Sequence, residues 1–543
     1  MANFFYDIVA IGLDLLMPIK WIKKISADVP WMTDKLKTFI KKRQEAFFSH
    51  GPKSNCFKYY RNIVNRERKA CKSKYYTTQV HSKEKDNPKT WWSEIKRLGG
   101  MKSMNSSLIN FINIAGFEDI SEQELANRIN TAFLEPLSEY KLSSPLERLN
   151  LEENPDFLEV SEERVLSQLK KLNPSKSGGP DEVPNWLLRE YAVILALPIS
   201  LLLNASYKQQ RLPAIWKLAN VSPLPKVKIV QDLKKELRPI SLTPNISKVA
   251  EHFVVNDYVK PALLKKIDPN QYGAIPKSST IFALLSMLDL PRSVINWIID
   301  FLSNRFQRVK LSQGCFSDWG AVPSGVPQGT ILGPWLFLIL INDLSITDTD
   351  LWKYVDDTTV SETVDKNQQS RAQTIANEMS QWSQNNKMKL NEEKCKELRI
   401  SFSKVPRDFN PILINNKSIR VVKSVKLLGL SFDNNLTWNL HIEEVVKKIS
   451  KRIYYLIQLK RAGIPRNDLV LFYVTCIRSV IDYGIPVIYY SLPKYLRSEL
   501  ERLQKRAIRI ICPNTNYEDA LISCGLESLS VHHENICTSL FQT

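Results

Sequence analysis

Two adjacent aspartates, Asp356 and Asp357, are the residues of this sequence best suited to chemistry. They lie between an apolar run at 335–341 and a β-forming stretch at 358–360. Such flanks favour the tip of a β-hairpin, where successive side chains alternate between faces. Two carboxylates there can hold Mg²⁺, which binds through one or two carboxylates together with substrate phosphates. A plain surface turn is the alternative for so short a motif.

Other segments carry residues suited to binding a nucleotide. Gln328 and Gly329 lie in a stretch, 324–330, whose two glycines let the backbone approach a ligand closely. The Gln328 amide can both donate and accept a hydrogen bond at a base edge or a sugar. These two residues therefore predict a nucleotide and template pocket.

Three cations complete the candidate set. Lys226 and Arg238 fall in two short extended segments, from which they can reach the phosphates of one nucleotide. Lys394 lies in a polar turn and can protonate a leaving group. An ordinary surface lysine remains the alternative for Lys226 and for Lys394.

The charge of the chain points to a polyanionic partner. The 543 residues include 75 lysines and arginines against 56 aspartates and glutamates, a net charge of +19. The first 100 residues alone hold 21 basic and 9 acidic side chains. Aromatic residues interleave with these cations in a helical pattern, which suits single-stranded nucleic acid, and an amphipathic helical pair with a solvated basic face is the alternative.

Cysteine usage and hydropathy bear on the compartment. The eight cysteines are scattered singly without a Cys-x-x-Cys pair, as in a reducing compartment. No apolar stretch approaches the roughly 20 residues of a membrane span. We therefore expect an intracellular protein, cytoplasmic or nuclear, that is neither secreted nor bound to a membrane.

Helix and strand signals alternate as in an α+β domain. Ser161 is a helix cap, a helix starts near Asn185, and short strands are predicted at 221–227 and 237–242. After Trp438 the pattern is mostly helical, most clearly over 442–460 and 496–512.

In their order along the chain, these motifs resemble the reverse transcriptases of non-LTR retrotransposons, especially the Jockey-like elements. The motifs are Arg-Pro-Ile-Ser at 238–241, the nucleotide motif at 324–333, Tyr-Val-Asp-Asp at 354–357, the apolar turn at 427–430, and the helical end with Leu-Thr-Trp at 436–438 and residues 502–511. The resemblance implies fingers and a palm like those of right-hand polymerases, with a mostly helical thumb and a basic, helical N-terminal region. The predicted divisions are 1–160 for the basic linker region, 161–434 for fingers and palm with a core at about 205–434, and 435–543 for the thumb and C-terminal region.

The resemblance also implies roles. Asp356 and Asp357 would be catalytic ligands of Mg²⁺ or Mn²⁺, and Lys226 and Arg238 would hold the triphosphate. The partners would be an RNA template, a DNA primer and deoxynucleoside triphosphates.

The same resemblance indicates a missing part. These enzymes carry a further metal-binding aspartate on a palm strand before the nucleotide motif. Here the sequence passes from residue 287 to Asp289 and a helix, which predicts an internal deletion near 287–289. Asp289, Asp300 and Asp343 are poor substitutes, because each suits a helix or a turn. The upstream endonuclease is also expected to be missing.

Three interpretations follow. The chain is an RNA-directed DNA polymerase domain that polymerises poorly or not at all, a non-catalytic RNA- or DNA-binding relic, or a decayed element that does not fold stably.

Overall fold

The computed structural model describes residues 1–17, 29–80, 88–98, 111–114, 120–138, 147–153, 155–266, 268, 290–312, 314–366, 368–403, 405 and 407–541. The predicted deletion point at 287–289, together with Asp289, lies outside the described residues.

Helices make up most of the described chain. In chain order they are α1 (Ala2–Leu16), α2 (Asp34–His50), α3 (Asn55–Tyr75), α4 (Pro88–Leu98), α5 (Glu122–Ser138), α6 (Glu162–Lys170), α7 (Asn185–Glu190), α8 (Ala192–Gln209), α9 (Leu233–Glu236), α10 (Asn245–Val254), α11 (Lys260–Leu264), α12 (Arg292–Leu302), α13 (Leu332–Ile341), α14 (Ala372–Asn385), α15 (Asn439–Arg461), α16 (Arg466–Phe472), α17 (Ser479–Asp482), α18 (Ile485–Ile488), α19 (Lys494–Ile511), α20 (Tyr517–Ser523) and α21 (Leu529–Phe541).

The strands are short. They are β1 (Leu218–Pro225), β2 (Leu237–Leu242), β3 (Arg305–Ser312), β4 (Cys315–Phe316), β5 (Gly320–Val322), β6 (Asp350–Tyr354), β7 (Asp357–Ser361), β8 (Lys396–Leu398), β9 (Leu413–Ile414), β10 (Lys417–Ser418), β11 (Arg420–Val422), β12 (Ser424–Leu427) and β13 (Leu430–Asp433). Helices and small sheets together confirm the α+β class.

Contacts divide the chain into two compact units. The first contains Met1–Lys20, Ser106–Lys394 and Phe409–Ser418, and the second contains Trp21–Asn105, Cys395–Asp408 and Ile419–Thr543. Each unit therefore draws on separate stretches of sequence. The three regions proposed from sequence pattern remain a prediction.

The largest sheet of the first unit has the order β2-β1-β3-β4, with β5 also paired to β3. β1 is antiparallel to β2 and parallel to β3. Val221 of β1 and Val309 of β3 lie opposite each other, and both are fully buried in a cluster with Ile129 and Phe133 of α5. Burial of these side chains holds α5 against one face of the sheet.

A second, larger core of the first unit is formed by helices. Side chains of α8, α10, α12 and α13 meet in one cluster, with Trp297 of α12 fully buried and stacked on Phe301. Tyr6 of α1 joins this cluster and accepts a hydrogen bond of 2.9 Å from Trp216 Nε1.

The core of the second unit combines side chains from the N-terminal segment with side chains from the C-terminal helices. Tyr76, Trp91 and Ile95, which come from the N-terminal segment, are buried among side chains of α15, α16 and α19. The Tyr76 hydroxyl donates to the carboxylate of Asp468 and accepts a bond of 3.3 Å from Trp91 Nε1.

Several local predictions are confirmed. Ser161 caps α6, with its side chain accepting from the backbone of Arg164, and α7 begins at Asn185. β2 spans the predicted 237–242, and α15 and α19 fill the predicted C-terminal helices. Each prediction rested on a local signal, a cap or a periodicity.

Two helical stretches among the described residues, Ala192–Gln209 and Arg466–Ser491, have the length and apolar composition of a membrane-spanning helix. In Ala192–Gln209 the side chains of Ala196, Ile199 and Leu203 lie in the core of the first unit. Burial in a protein core accounts for apolar composition equally well.

Candidate functional site

The two aspartates lie at the tip of the β6–β7 hairpin, as predicted. Tyr354 pairs with Asp357, so that Val355 and Asp356 form a two-residue turn. Val355 has φ = +58°, in the left-handed region that two-residue hairpin turns require at this position. A β-branched residue is strained there, and such strain concentrates at functional sites. Both aspartate side chains are exposed, so their carboxylates are open to solvent and to ligands.

Lys353 anchors this hairpin. The side chain is fully buried, and its Nζ donates to the carbonyl oxygens of Ile341 (3.2 Å), Asn342 (3.2 Å) and Leu344 (2.8 Å) at the end of α13. The same ammonium group forms an ion pair with Asp268. Free carbonyl groups at a helix C-terminus attract a cation, so Lys353 fixes the hairpin to α13.

Apolar contacts support the hairpin from the same side. Leu351 of β6 is buried with Ile341, Leu344 and Ile375, and Val360 of β7 packs against this cluster. Alternation along β6 therefore directs Leu351 and Lys353 inward.

The three cations predicted to bind the nucleotide share one electrostatic environment in the first unit. Lys226 follows β1 directly, and its Nζ donates to the carbonyl oxygen of Lys235 (2.7 Å). Burial lowers the pKa of Lys226, and repulsion from Lys394 and Arg238 lowers it further. All three side chains are exposed, and no described acid forms an ion pair with any of them. This group of cations is suited to receive an anion.

Gln328 and Gly329 lie against β2, the strand that carries Arg238. The backbone nitrogen of Ser241 donates to the carbonyl oxygen of Gln328 at 2.7 Å. Gly329 has φ = +112°, and a Cβ there would lie 2.9 Å from the Ser241 carbonyl oxygen. Only glycine combines this conformation with so close an approach. The turn therefore holds the exposed Gln328 side chain beside the cation-bearing strand.

Glu251 positions the helix that follows this turn. The carboxylate is fully buried and accepts from the backbone nitrogens of Ile331 (2.7 Å) and Leu332 (2.9 Å) at the start of α13. Burial raises the pKa of Glu251, whereas these two hydrogen bonds and the charge of Arg305 oppose the rise. An acidic cap satisfies two of the otherwise unpaired helical N–H groups.

Comparison with known proteins gives a family match over this region. Residues 224–432 match the family described as "Reverse transcriptase (RNA-dependent DNA polymerase)", a stretch that contains all seven predicted site residues. Residues 438–479 match a second description, "Alkylated DNA repair protein alkB homolog 8, N-terminal".

Three similar proteins come from Drosophila melanogaster. The "RNA-directed DNA polymerase from mobile element jockey" is 24% identical over 412 residues, which are 65% of this chain and 44% of the relative. The "Probable RNA-directed DNA polymerase from transposon X-element" is 21% identical over 396 residues, 64% of this chain and 43% of the relative. The "Probable RNA-directed DNA polymerase from transposon BS" is 23% identical over 429 residues, 68% of this chain and 47% of the relative.

The family match and these three relatives support a non-LTR retrotransposon reverse transcriptase. The chain spans less than half the length of the curated relatives it matches.

Within the stretch that matches the reverse transcriptase family, the structure brings some of the predicted residues together. Lys226, Arg238 and Lys394 share one electrostatic environment, and Gln328 and Gly329 lie against the strand of Arg238. The described residues show no hydrogen bond or ion pair from Asp356 or Asp357 to this group.

The acids considered as substitutes for a third palm aspartate have other partners. Asp300 accepts from Arg148 (3.0 Å) and Lys217 (2.9 Å), and Asp343 accepts from Trp382 Nε1 (3.1 Å). Within the described ranges, no three His, Cys, Asp or Glu side chains are grouped as metal ligands.

Sequence reasoning missed Lys353 and Glu251 as positioning residues. The inward orientation of Lys353 follows from the two-residue alternation that it shares with Leu351, and this alternation is visible in the sequence. Glu251 lies on α10, 80 residues before the helix it caps, and no local pattern marks such a pairing.

The fit of Gly329 against β2 gives a testable expectation. Gly329→Ala is expected to lower the free energy of unfolding by about 1–2 kcal/mol more than Gly314→Ala. Both glycines have positive φ, but a Cβ at Gly314 meets nothing within 4 Å. Thermal unfolding of both variants, followed by circular dichroism, measures the difference. Equal losses of stability would show that contact with Ser241 does not constrain the turn.

Proposed function

We propose that this chain is an RNA-directed DNA polymerase domain whose catalysis is impaired. The observation that carries the proposal is the set Lys226, Arg238 and Lys394, which form no ion pair with any described acid, in a stretch that matches the reverse transcriptase family and also holds an exposed pair of aspartates. Cations without acidic partners suit a triphosphate, and hairpin carboxylates suit a divalent metal ion.

In the proposed reaction, the 3′-hydroxyl oxygen of a DNA primer attacks the α-phosphorus of a deoxynucleoside triphosphate. The new phosphorus–oxygen bond forms as the bond to the bridging oxygen breaks and pyrophosphate leaves, and the hydroxyl proton passes to solvent. Lys226 and Arg238 would hold the triphosphate and offset its growing negative charge. Lys394 would protonate the leaving pyrophosphate. Gln328 and Gly329 would line the pocket for nucleotide and RNA template.

Asp356 and Asp357 have the chemistry of a partial magnesium site. Their exposed carboxylates supply hard oxygen ligands, and the triphosphate can supply others. When bound, Mg²⁺ or Mn²⁺ would lower the barrier to nucleotidyl transfer by acting as a Lewis acid at the phosphate oxygens. Lys353 would maintain the position of the two carboxylates through its bonds to α13.

The proposed impairment rests on the sequence. Residues 287–289 pass directly into the segment that precedes α12, without the palm strand that carries a further aspartate in similar enzymes. Asp300 and Asp343 are engaged elsewhere, so neither is offered as a replacement.

The wider arrangement is part of the same proposal. Fingers and palm would lie in 161–434 and the thumb in 435–543, with residues 1–160 as a basic linker. The partners would be RNA template, DNA primer and deoxynucleoside triphosphates, in the cytoplasm or nucleus.

Primer extension on an RNA template, with Mg²⁺ or Mn²⁺, tests the proposal. We expect weak extension that Asp356→Asn abolishes and Asp350→Asn leaves unchanged, because Asp350 lies at the other end of the same hairpin. Robust, Asp356-dependent synthesis would show that the chain is a polymerase whose catalysis is not impaired. Failure both to extend a primer and to bind RNA would overturn it altogether.

A non-catalytic nucleic-acid-binding protein is the second candidate. The observation that favours it is the α2–α3 helical pair, which buries only a small core around Leu36, Val64 and Cys71. The exposed surface of the pair includes Lys41, Lys42, Lys58 and Arg61, with Tyr59 at 62% exposure. Salt-sensitive RNA binding without extension would favour this candidate, because phosphate contacts do not require the metal site.

A further inference from the structure

One face of β3 is left open to solvent. Gln307 and Val309 of β3 are buried against α5, whereas Phe306, Arg308 and Lys310 point the other way. Phe306 is 42% exposed. The strand register places Arg238 of β2 on this same face, through Leu224 and the parallel pairing of β1 with β3.

Arg308 lies close to two aromatic rings. Its guanidinium carbon lies 3.9 Å from the centroid of Phe316 and 4.6 Å from that of Trp319. Its Nε donates to the side-chain oxygen of Asn220 at 2.8 Å, and Asn220 is itself buried. Three contacts therefore fix the plane of the guanidinium group before any ligand arrives.

The outer edge of this guanidinium is unused. Within the described part of the chain, neither Nη atom of Arg308 donates a hydrogen bond or enters an ion pair. Glu182 is the described acid whose charge acts on Arg308, and it forms no ion pair with it. An arginine fork with a fixed plane and free N–H groups is suited to bind a phosphate through two bonds.

Aromatic and cationic groups surround this fork. Trp319 is 41% exposed, and Lys310 Nζ lies 5.3 Å from the centroid of Phe316. Exposed rings beside cations match single-stranded nucleic acid, whose bases stack while its phosphates bind basic groups. Duplex nucleic acid keeps its bases stacked internally, so it would use the cations alone.

We propose that the open face of β3 binds single-stranded nucleic acid, with Arg308 on a phosphate and with Trp319 and Phe306 as stacking surfaces for bases. The proposal rests on the proposed function only for the class of ligand. It adds a site outside the residues assigned to nucleotide and metal binding.

Binding of a fluorescein-labelled 20-nucleotide oligo(U) to the full chain, measured by anisotropy, tests this site. Trp319→Ala and Arg308→Gln are each expected to weaken binding about tenfold. Arg308→Gln should also reduce the slope of log affinity against log salt by about 0.7. Arg128→Gln is the matched control, because it removes one charge from α5 on the covered face of the sheet, where Arg128 pairs with Glu124. Glu182→Gln is expected to strengthen binding about twofold by removing a nearby negative charge.

Unchanged affinity in folded Trp319→Ala and Arg308→Gln variants would overturn the proposal, as would equal losses for single strands and duplex. If either variant fails to fold, photocrosslinking of 4-thiouridine-containing oligo(U) to the wild-type chain decides. Adducts at Phe306 or Trp319 support the site, and adducts confined to other peptides overturn it. Binding that depends on Arg308 without any primer extension would support this site and would favour the non-catalytic candidate over the polymerase.

Discussion

Replacing Lys353 by alanine is expected to destabilise the β6–β7 hairpin by about 3–5 kcal/mol, because it removes a fully buried cation from its ion pair with Asp268. The substitution also removes the donor shared by three carbonyl oxygens at the end of α13. Hydrogen exchange at the β6 and β7 amides measures this local stability directly. Exchange there should become about 100-fold faster or more.

The control for this prediction is Lys366→Ala, which removes an exposed lysine from the segment that follows β7. We expect its exchange rates to match those of the wild type. If Lys353→Ala also leaves the hairpin amides unchanged, Lys353 does not anchor the aspartates, and the hairpin depends on Leu351 and Val360 alone.

Asp181→Asn is expected to stabilise the first unit at alkaline pH and to have little effect at acid pH. Both carboxylate oxygens of Asp181 are buried, and neither accepts a hydrogen bond of full geometry from the described residues. This burial raises the pKa of Asp181 from 3.8 to about 7, although the nearby backbone N–H groups of Asp181 and Val183, and more weakly Lys248 and Tyr6, oppose the rise. Above that pH the folded state must carry a buried negative charge.

The sign of the effect follows from proton binding. Between its unfolded and folded pKa values, Asp181 holds a proton in the folded state and has lost it in the unfolded state, so wild-type stability falls as pH rises. Asparagine cannot lose this proton. The advantage of the variant should therefore grow by about 2–3 kcal/mol between pH 5 and pH 8.

Urea unfolding at a series of pH values, monitored by tryptophan fluorescence, measures this difference. Glu153→Gln serves as a control, because Glu153 is an exposed acid of the same unit. Parallel stability curves for wild type and Asp181→Asn would show that Asp181 is hydrated in solution.

Local sequence signals predicted several helices and strands, but they rarely predicted which distant helix or strand each one packs against or pairs with. The hairpin at Asp356, the cap at Ser161 and strand β2 each follow from residues close together in the chain. The parallel pairing of β1 with β3 joins residues almost 90 positions apart, and no local pattern specifies it. The sequence was enough to name Lys226 and Lys394 as candidate binding residues. It could not show that they repel each other, because that repulsion arises only in the folded chain.

Lys353 shows why the site itself was only partly predictable. A lysine in a short strand usually extends into solvent, and its burial here depends on free carbonyl groups at the end of a helix. The predicted loss of a palm strand near 287–289 concerns residues that lie outside the described ones, and it remains a prediction.

The shared core around Tyr76 and Trp91 has a consequence for synthesis of the chain. These residues leave the ribosome early, but the helices that bury them begin at Asn439, about 340 residues after α4 ends. At roughly 5–20 residues per second, this interval lasts about 20–70 s. During that time Tyr76 and Trp91 lack the helices that bury them, so nascent chains would require chaperone protection until α15, α16 and α19 have been synthesised.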